Sequence, residues 1–256
     1  MKSKLLTLIC VFILSSLSYA SDSSKGHGRG KKSTKMTVGV AIGAGVPMGW
    51  FGKKDTVGAT APKDTAHHAG YAKLGINFNL NFAYKFTDAF GVMLVVGGNL
   101  NGFDGKSYDA AWGNSFNHTS STVTTGTTNY IGSYMLGPFI SFPGGDKLTL
   151  NIRLLGGWMT ANVSTITSVT PGAFGNYTQT AAYKASGTYC YGGGLGVSYN
   201  VSNAVSIPVT VDYLGGNPII TEETGTFGSF SFDSKRLKIG MGVGLINVAV
   251  GLAIHF

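Results

Sequence analysis

Charged side chains are scarce in this chain. Lys, Arg, Asp and Glu together make up 12% of its 256 residues, against about 25% in an average soluble domain. A water-exposed surface needs ionised side chains to stay dispersed, so the composition argues against a soluble globular protein. The mean hydropathy of +0.17 argues against an intrinsically disordered chain, which requires low hydrophobicity.

Long apolar runs and cysteines are also few. A membrane protein built from helices needs several apolar runs of about 20 residues, and none occurs after the first 20 residues. The two cysteines are too few for a disulfide framework, and the absence of a Gly-X-Y repeat excludes collagen. The chain is instead rich in glycine, with 39 residues, and in aromatic residues, at 12%. This composition favours a glycine-rich β protein with a surface suited to lipid.

The first 20 residues have the features of a secretion signal. Lys2 and Lys4 form a positive start, residues 5–14 form a short apolar run, and a small-x-small cleavage site ends at Ala20. The apolar run is too short to cross a membrane as a helix. We therefore predict a signal peptide over residues 1–20.

Eight segments alternate between apolar residues and small or polar ones, which is the pattern of half-buried β-strands. Pro138 and Pro208 each remove a hydrogen-bond donor from a ladder, so a bulge or local break is expected at each. In the last segment the alternation changes phase once, which predicts a bulge near Leu245 and Ile246. The segments are 37–46, 73–86, 90–101, 129–142, 148–159, 187–201, 205–213 and 237–256.

The links between these segments are long and short in turn. Long links on one side and tight turns on the other are typical of an outer-membrane barrel, whose long loops are extracellular. An even strand count then places both termini on the periplasmic side. Thr and Val in the long links suggest that strands continue beyond the membrane as hairpins. The long links cover residues 47–72, 102–128, 160–186 and 214–236, and the short ones 87–89, 143–146 and 202–203.

Charge decides between a membrane barrel and a soluble one. The eight segments hold few charges, and all lie on the face opposite the apolar one, so none is expected to face lipid. That second face is mostly Gly, Ala, Ser, Thr and Asn, which suits the narrow interior of an eight-stranded barrel. The predicted fold is all-β: a closed, antiparallel, up-and-down transmembrane β-barrel of eight strands over residues 36–256. The five charged residues are Lys73, Lys85, Arg153, Asp212 and Lys238.

The net charge of +8 needs a separate explanation, because a basic protein often binds nucleic acid or membranes. Lys2 and Lys4 contribute +2 and residues 21–35 contribute +4, so 8 − 2 − 4 leaves +2 for residues 36–256. The excess charge therefore lies in a short basic arm, which is expected in the periplasm near anionic headgroups. No nucleic-acid partner is expected.

The end of the chain resembles a known family. Residues 191–199, the turn at 200–203 and residues 204–213 are similar to the penultimate hairpin of the outer membrane β-barrel domain family, which includes OmpA-, OmpX- and OmpW-like barrels. The resemblance implies an outer-membrane location and a last strand that the barrel-assembly machinery reads as an assembly signal. The residues that match this signal are Val248, Val250, Leu252, Ile254 and Phe256.

The sequence gives little support for a catalytic site. His118 and Ser120 faintly resemble the His-x-Ser of lipid A deacylases, but nothing ties the nearest acid, Asp109, to His118. The side chains of the adjacent His67 and His68 diverge in an extended chain, which disfavours a metal site. We therefore expect a protein without enzymatic activity, with no catalytic residues, no metal site and no cofactor.

The charged residues of the interior predict a polar network instead. If Tyr213 pairs with Leu237 in the last hairpin, then Asp212 lies opposite Lys238, and Arg153 can also reach Asp212. An unpaired charge in so narrow a lumen would be costly, so these three groups are expected to pair. Such a network would plug the barrel.

These observations predict an integral outer-membrane protein with a structural or adhesive role through its extracellular loops. Its surroundings are expected to be outer-membrane lipid. The loops either bind a surface partner through projecting strand edges or form a solvated cap without one. Two alternative functions are a narrow channel or hydrophobic-solute carrier that resembles OmpW and, with less support, a lipid A-modifying enzyme.

Overall fold

Strands make up most of the part of the chain that the computed structural model describes. The described residues are 35–54, 70–112, 122–125, 128–145, 147–163, 165–172, 175–184, 186–227, 230–232 and 238–256. In chain order the strands are β1 (Met36–Met48), β2 (Ala72–Lys85), β3 (Phe90–Phe103), β4 (Thr122–Thr125), β5 (Thr128–Pro143), β6 (Leu148–Asn162), β7 (Ile166–Gly172), β8 (Gly175–Lys184), β9 (Ser186–Asn200), β10 (Val205–Gly216), β11 (Ile219–Phe227), β12 (Phe230–Phe232), β13 (Lys238–Gly240) and β14 (Val243–His255).

Eight of these strands close into one antiparallel barrel. Their order around the wall is β1-β14-β10-β9-β6-β5-β3-β2, so every neighbour in sequence among the eight is a neighbour in space, and the last strand pairs with the first. At the seam, Met36 and Phe256 exchange two backbone hydrogen bonds. The predicted eight-stranded up-and-down barrel is confirmed.

Strands within the long links form a second sheet beyond the barrel. Its order is β12-β11-β8-β7-β4, and β13 also pairs with β11. β7 and β8 form a hairpin that continues β6 and β9, and β11 continues β10. This arrangement confirms that strands extend past the barrel as hairpins. Two short helices, α1 (Gly49–Gly52) and α2 (Gly105–Trp112), follow β1 and β3. Among the described residues no helix is long and apolar enough to cross a membrane.

The predicted bulge at Leu245 and Ile246 is wrong. Leu245 pairs with Pro47 and Leu214, and Ile246 pairs with the next residues along, Val46 and Tyr213, without a shift of register. The change of phase has another cause: the inward side of β14 is itself apolar at its loop end.

The two prolines interrupt ladders without adding residues. Pairing between β5 and β6 is missing at Gly137 and Pro138, and pairing between β10 and β14 is missing at Ile207 and Pro208. The register is the same before and after each gap, so both are local breaks rather than bulges. The cause is the missing N–H of proline, which leaves one ladder bond unmade.

The outer wall is an apolar belt edged by aromatic rings. Leu154, Val209 and Val250 are between 50% and 70% exposed in the middle of their strands. Aromatic residues are exposed toward both ends of the wall, as expected at two membrane interfaces. Those toward the short turns include Tyr84, Phe86, Phe90, Phe142, Tyr199 and Phe256, and those toward the long loops include Tyr130, Tyr134, Trp158, Tyr189, Tyr191 and Tyr213.

Lys73 departs from the predicted inward orientation. The register between β2 and β3 shifts between Ala72 and Gly75, which adds one residue to β2. As a result the side chain of Lys73 lies beside Gly102, on the outer side of the wall, and is 54% exposed. A bulge reverses the alternation that the sequence pattern assumed.

Candidate functional site

The barrel interior is the candidate functional site, and polar side chains fill much of it. Asn79 Nδ2 donates a hydrogen bond of 2.8 Å to Asn77 Oδ1, and Asn77 Nδ2 donates one of 3.2 Å to Asn99 Oδ1. Polar side chains gather inside the barrel because small and polar residues occupy every second position of the strands, and these positions face inward. The buried polar residues inside the barrel are Asn77, Asn99, Asn101, Asn129, Ser133, Ser141, Arg153, Ser206, Thr210 and Asn247.

Arg153 and Asp212 meet in this interior. Arg153 Nε donates to Asp212 Oδ1 at 2.5 Å, and Arg153 Nη2 donates to Asp212 Oδ2, so the two groups form a bidentate ion pair. Arg153 Nη1 also lies 3.8 Å from the sulfur of Met93 on β3. The pair therefore reaches from β10 past β9 and β6 toward the other side of the lumen.

Gly194 makes this contact geometrically feasible. It lies on β9 directly between the two charged residues, paired with Arg153 on one side and with Asp212 on the other. A Cβ at position 194 would overlap the Asp212 carboxylate and the backbone carbonyl of Val211. The glycine-rich run of β9 thus leaves room for the side chains of its two neighbours.

The expected pairing of Asp212 with Lys238 is wrong. Asn247 lies opposite Asp212, whereas Lys238 pairs with Thr221 in the sheet beyond the barrel. The hairpin after β10 is longer than the sequence pattern suggested, because β11 and β13 continue it past the barrel. Lys238 therefore sits nine positions before the residue that faces Asp212.

An apolar layer closes the loop end of the interior. Phe51, from α1, is fully buried and belongs to the same apolar cluster as Leu245 and Met159, which are also fully buried. The layer forms because the inward positions of several strands turn apolar at this end. Its members are Phe51, Ala72, Val95, Ile131, Met135, Leu155, Met159, Ala161, Cys190, Leu214, Met241, Val243 and Leu245.

A small cavity lies between the polar region and this layer. The cavity beside the Arg153–Asp212 pair has a volume of about 20 Å³, enough for one water molecule. Its lining consists of Asn79, Asn81, Val95, Asn99, Ser133, Met135, Arg153, Leu155, Gly193, Asp212, Tyr213, Leu214 and Asn247. Buried polar side chains and the apolar layer thus occupy much of the described interior.

A charged cluster lies above the wall at the loop end. Asp104 is buried and accepts hydrogen bonds from Lys54 Nζ at 2.5 Å and from the Ser107 hydroxyl at 2.9 Å, while Lys73 Nζ lies 3.9 Å away. The hydrogen bond from Lys54 is the main cause that lowers the pKa of Asp104 to about 2, against the opposing effect of burial. This cluster ties the segment after β1 to the segment after β3.

The remaining residues of interest lie apart from the interior network. His255 closes the short-turn end of the interior, where its ring nitrogens lie 2.9 Å from the Thr37 hydroxyl and 2.8 Å from the Ser206 hydroxyl. His67, His68 and His118 fall outside the described residues. Within the described part of the chain no group of three or more His, Cys, Asp or Glu residues could hold a metal ion.

The positions of the proposed assembly signal lie on β14 and just after it. Val248, Val250, Leu252 and Phe256 are exposed on the outer wall, whereas Ile254 is 5% exposed. β14 closes the barrel by pairing with β1 over twelve consecutive positions.

The fold is that of the eight-stranded outer-membrane barrels. Each of the eight barrel strands pairs with a neighbour on both sides, so the barrel has no open edge. Its outer wall is an apolar belt between aromatic rings, which suits lipid, so the chain is an integral barrel of the outer membrane.

Solved structures of outer-membrane proteins are similar to this chain. No protein-family model matches the chain, and no curated protein sequence matches it. OprG from Pseudomonas aeruginosa is 12% identical, with a TM-score of 0.47, and the match covers 88% of this chain and 98% of that one. Ail from Yersinia pestis is 14% identical, with a TM-score of 0.42 and coverage of 88% and 99%. A major outer membrane protein from Thermus thermophilus is 11% identical, with a TM-score of 0.43 and coverage of 86% and 99%. At these identities no function transfers to this chain.

Sequence reasoning missed two parts of the site. Phe51 lies in a long link, and the signal that could have found it is the adjacent aromatic pair Trp50-Phe51 near the start of that link. The Asp104 cluster joins two loops that are far apart in sequence, and only the closure of the barrel brings them together.

Proposed function

We propose that this protein is a non-conducting, non-enzymatic barrel that supports a β-sheet surface on the outside of the cell. The observation that carries the proposal is the filled interior. The Arg153–Asp212 pair occupies the middle, the apolar layer around Phe51 occupies the loop end, and the cavity beside the pair measures only about 20 Å³. A pore or a solute carrier needs a continuous or ligand-sized space, whereas side chains fill the interior at these two levels among the described residues.

The sheet beyond the barrel is the part that suits a surface role. β4 pairs only with β7 and β12 pairs only with β11 among the described residues, so both are edge strands. An exposed edge can pair with an extended segment of another protein through backbone hydrogen bonds. We therefore infer an adhesive or interaction role for this sheet, with the barrel as its anchor.

Membrane insertion in this proposal depends on β14. Its outward residues Val248, Val250 and Leu252, followed by Phe256, form an apolar row on the strand that closes the barrel. We propose that the barrel-assembly machinery recognises this row after export through the signal peptide.

Removal of the hairpin tests the surface role. In the variant, residues 163–185, which include β7 and β8, are replaced by a short Asn-Gly turn, so that β6 and β9 still pair. Cells that display the intact protein are expected to adhere to matrix-coated or host-cell surfaces, and cells that display the variant are expected not to. Heat-modifiable migration on gels checks that both barrels are folded. Equal adherence of the two strains contradicts the proposal.

A further inference from the structure

A groove runs across the outer wall at the loop end of β2, β3 and β5. It is shallow and open to the outside, and it is lined by Leu74, Gly75, Ile76, Leu100, Gly102 and Thr128. Leu74, Ile76 and Leu100 are 66%, 56% and 41% exposed, so the groove presents apolar side chains outward. It therefore opens toward the lipid.

The groove exists because one outward position has no side chain. Gly102 pairs with Thr128 on β5 and belongs to the outward side of β3, as does Leu100. A Cβ at Gly102 would meet nothing closer than the Cβ of Lys73, at 3.8 Å. The wall would therefore accept a side chain there, and packing within the barrel does not explain the glycine.

A positive charge borders the same groove. The bulge in β2 turns the side chain of Lys73 outward beside Gly102. Its ammonium group lies 3.9 Å from Asp104, whose other carboxylate oxygen binds Lys54 at 2.5 Å. Two lysines share one carboxylate, so the cluster carries a net charge of +1, and Lys73 holds the weaker of the two contacts.

We propose that this groove binds an acyl chain of an outer-leaflet lipid whose headgroup carries a phosphate, with Lys73 bound to that phosphate. The long loops of an outer-membrane barrel are extracellular, so the groove lies in the outer leaflet, near the headgroups. An apolar groove takes the chain, and an ammonium group at its edge matches the negative charge of the headgroup. The site is on the opposite side of the wall from the interior, so it does not depend on the proposed surface role.

Native mass spectrometry of the detergent-released barrel tests the site with two probes: lipid A that carries its phosphates, and the same lipid A after removal of the phosphates. Gly102→Leu fills the groove, and Lys73→Gln removes the charge. Gly156→Leu is the matched control, because Gly156 is exposed on the outer wall of β6 and a Cβ there meets nothing within 4 Å. Heat-modifiable migration confirms that each variant is folded before lipid is added.

The two variants are expected to differ in their response to the headgroup. Gly102→Leu weakens binding of both probes about fivefold, whereas Lys73→Gln weakens only the phosphorylated probe, also about fivefold, as expected for one lysine near a charged headgroup. Gly156→Leu leaves both unchanged. The proposal is overturned if Gly102→Leu has no effect, if Gly156→Leu weakens binding equally, or if Lys73→Gln acts on both probes alike or on neither.

Discussion

Arg153 and Asp212 are joined by a bidentate ion pair that crosses a strand at a glycine. The two residues lie on β6 and β10, and Gly194 of the intervening β9 is paired with both. Their side chains are 7% and 16% exposed, so neither charge is well hydrated. A buried pair adds little net stability by itself, but either charge left alone is costly. The two side chains are therefore expected to remain paired and to occupy the middle of the barrel interior.

Loss of one member of the pair should destabilise the barrel. Asp212→Ala leaves Arg153 charged in a narrow interior, and a cost of about 3–5 kcal/mol is expected. Urea unfolding of the detergent-solubilised protein, followed by tryptophan fluorescence and gel migration, measures this difference. The double variant Arg153→Met with Asp212→Ala should recover part of the loss, because no charge is then unpaired. An unchanged midpoint for Asp212→Ala would show that the pair has no structural role.

Gly194 should tolerate no side chain, unlike a glycine that faces lipid. Gly194→Ala places a Cβ against the Asp212 carboxylate and the Val211 carbonyl, which is expected to cost about 1–3 kcal/mol. Gly156→Ala is the control, because a Cβ there meets nothing within 4 Å, and its effect should stay within about 0.5 kcal/mol. The same urea titration compares them. Equal effects of the two substitutions would contradict the role assigned to Gly194.

The Asp104 cluster should give the loop end a pH dependence at low pH. The pKa of Asp104 is lowered from 3.8 to about 2, mainly by Lys54, so the folded state binds this proton more weakly than the unfolded state. The stabilisation is therefore complete above about pH 4 and is lost as the pH falls through about 2. Carbon-13 NMR of labelled aspartate should show the midpoint near 2, and Lys54→Met should move it up toward 3.8. A wild-type midpoint already near 4 would exclude the contact with Lys54.

The sequence predicted the barrel because lipid and interior impose opposite demands on alternate residues. Eight segments were enough to identify the wall, and the positions of Arg153 and Asp212 on its inner side followed from their parity. The register of the last hairpin could not be predicted in this way. The alternation of apolar and polar residues does not indicate how far a hairpin extends beyond the membrane. Because the last hairpin extends past the barrel, Lys238 pairs with Thr221 and Asn247 lies opposite Asp212.

The apolar layer could not be predicted from alternation either. Leu245 and Val243 are apolar because they pack inside against Phe51 and its neighbours, but an apolar residue that faces lipid has the same composition. The expected bulge in the last segment came from this ambiguity. Lys73 illustrates a second limit, since one extra residue in β2 reverses its side without any mark in the sequence pattern.

Conductance measurements show directly whether the barrel interior is filled. The refolded protein is inserted into a planar lipid bilayer at neutral pH, and the current is recorded under applied voltage. With the Arg153–Asp212 pair and the apolar layer in place, we expect insertion without discrete current steps. Reproducible single-channel openings of the wild-type protein would contradict it.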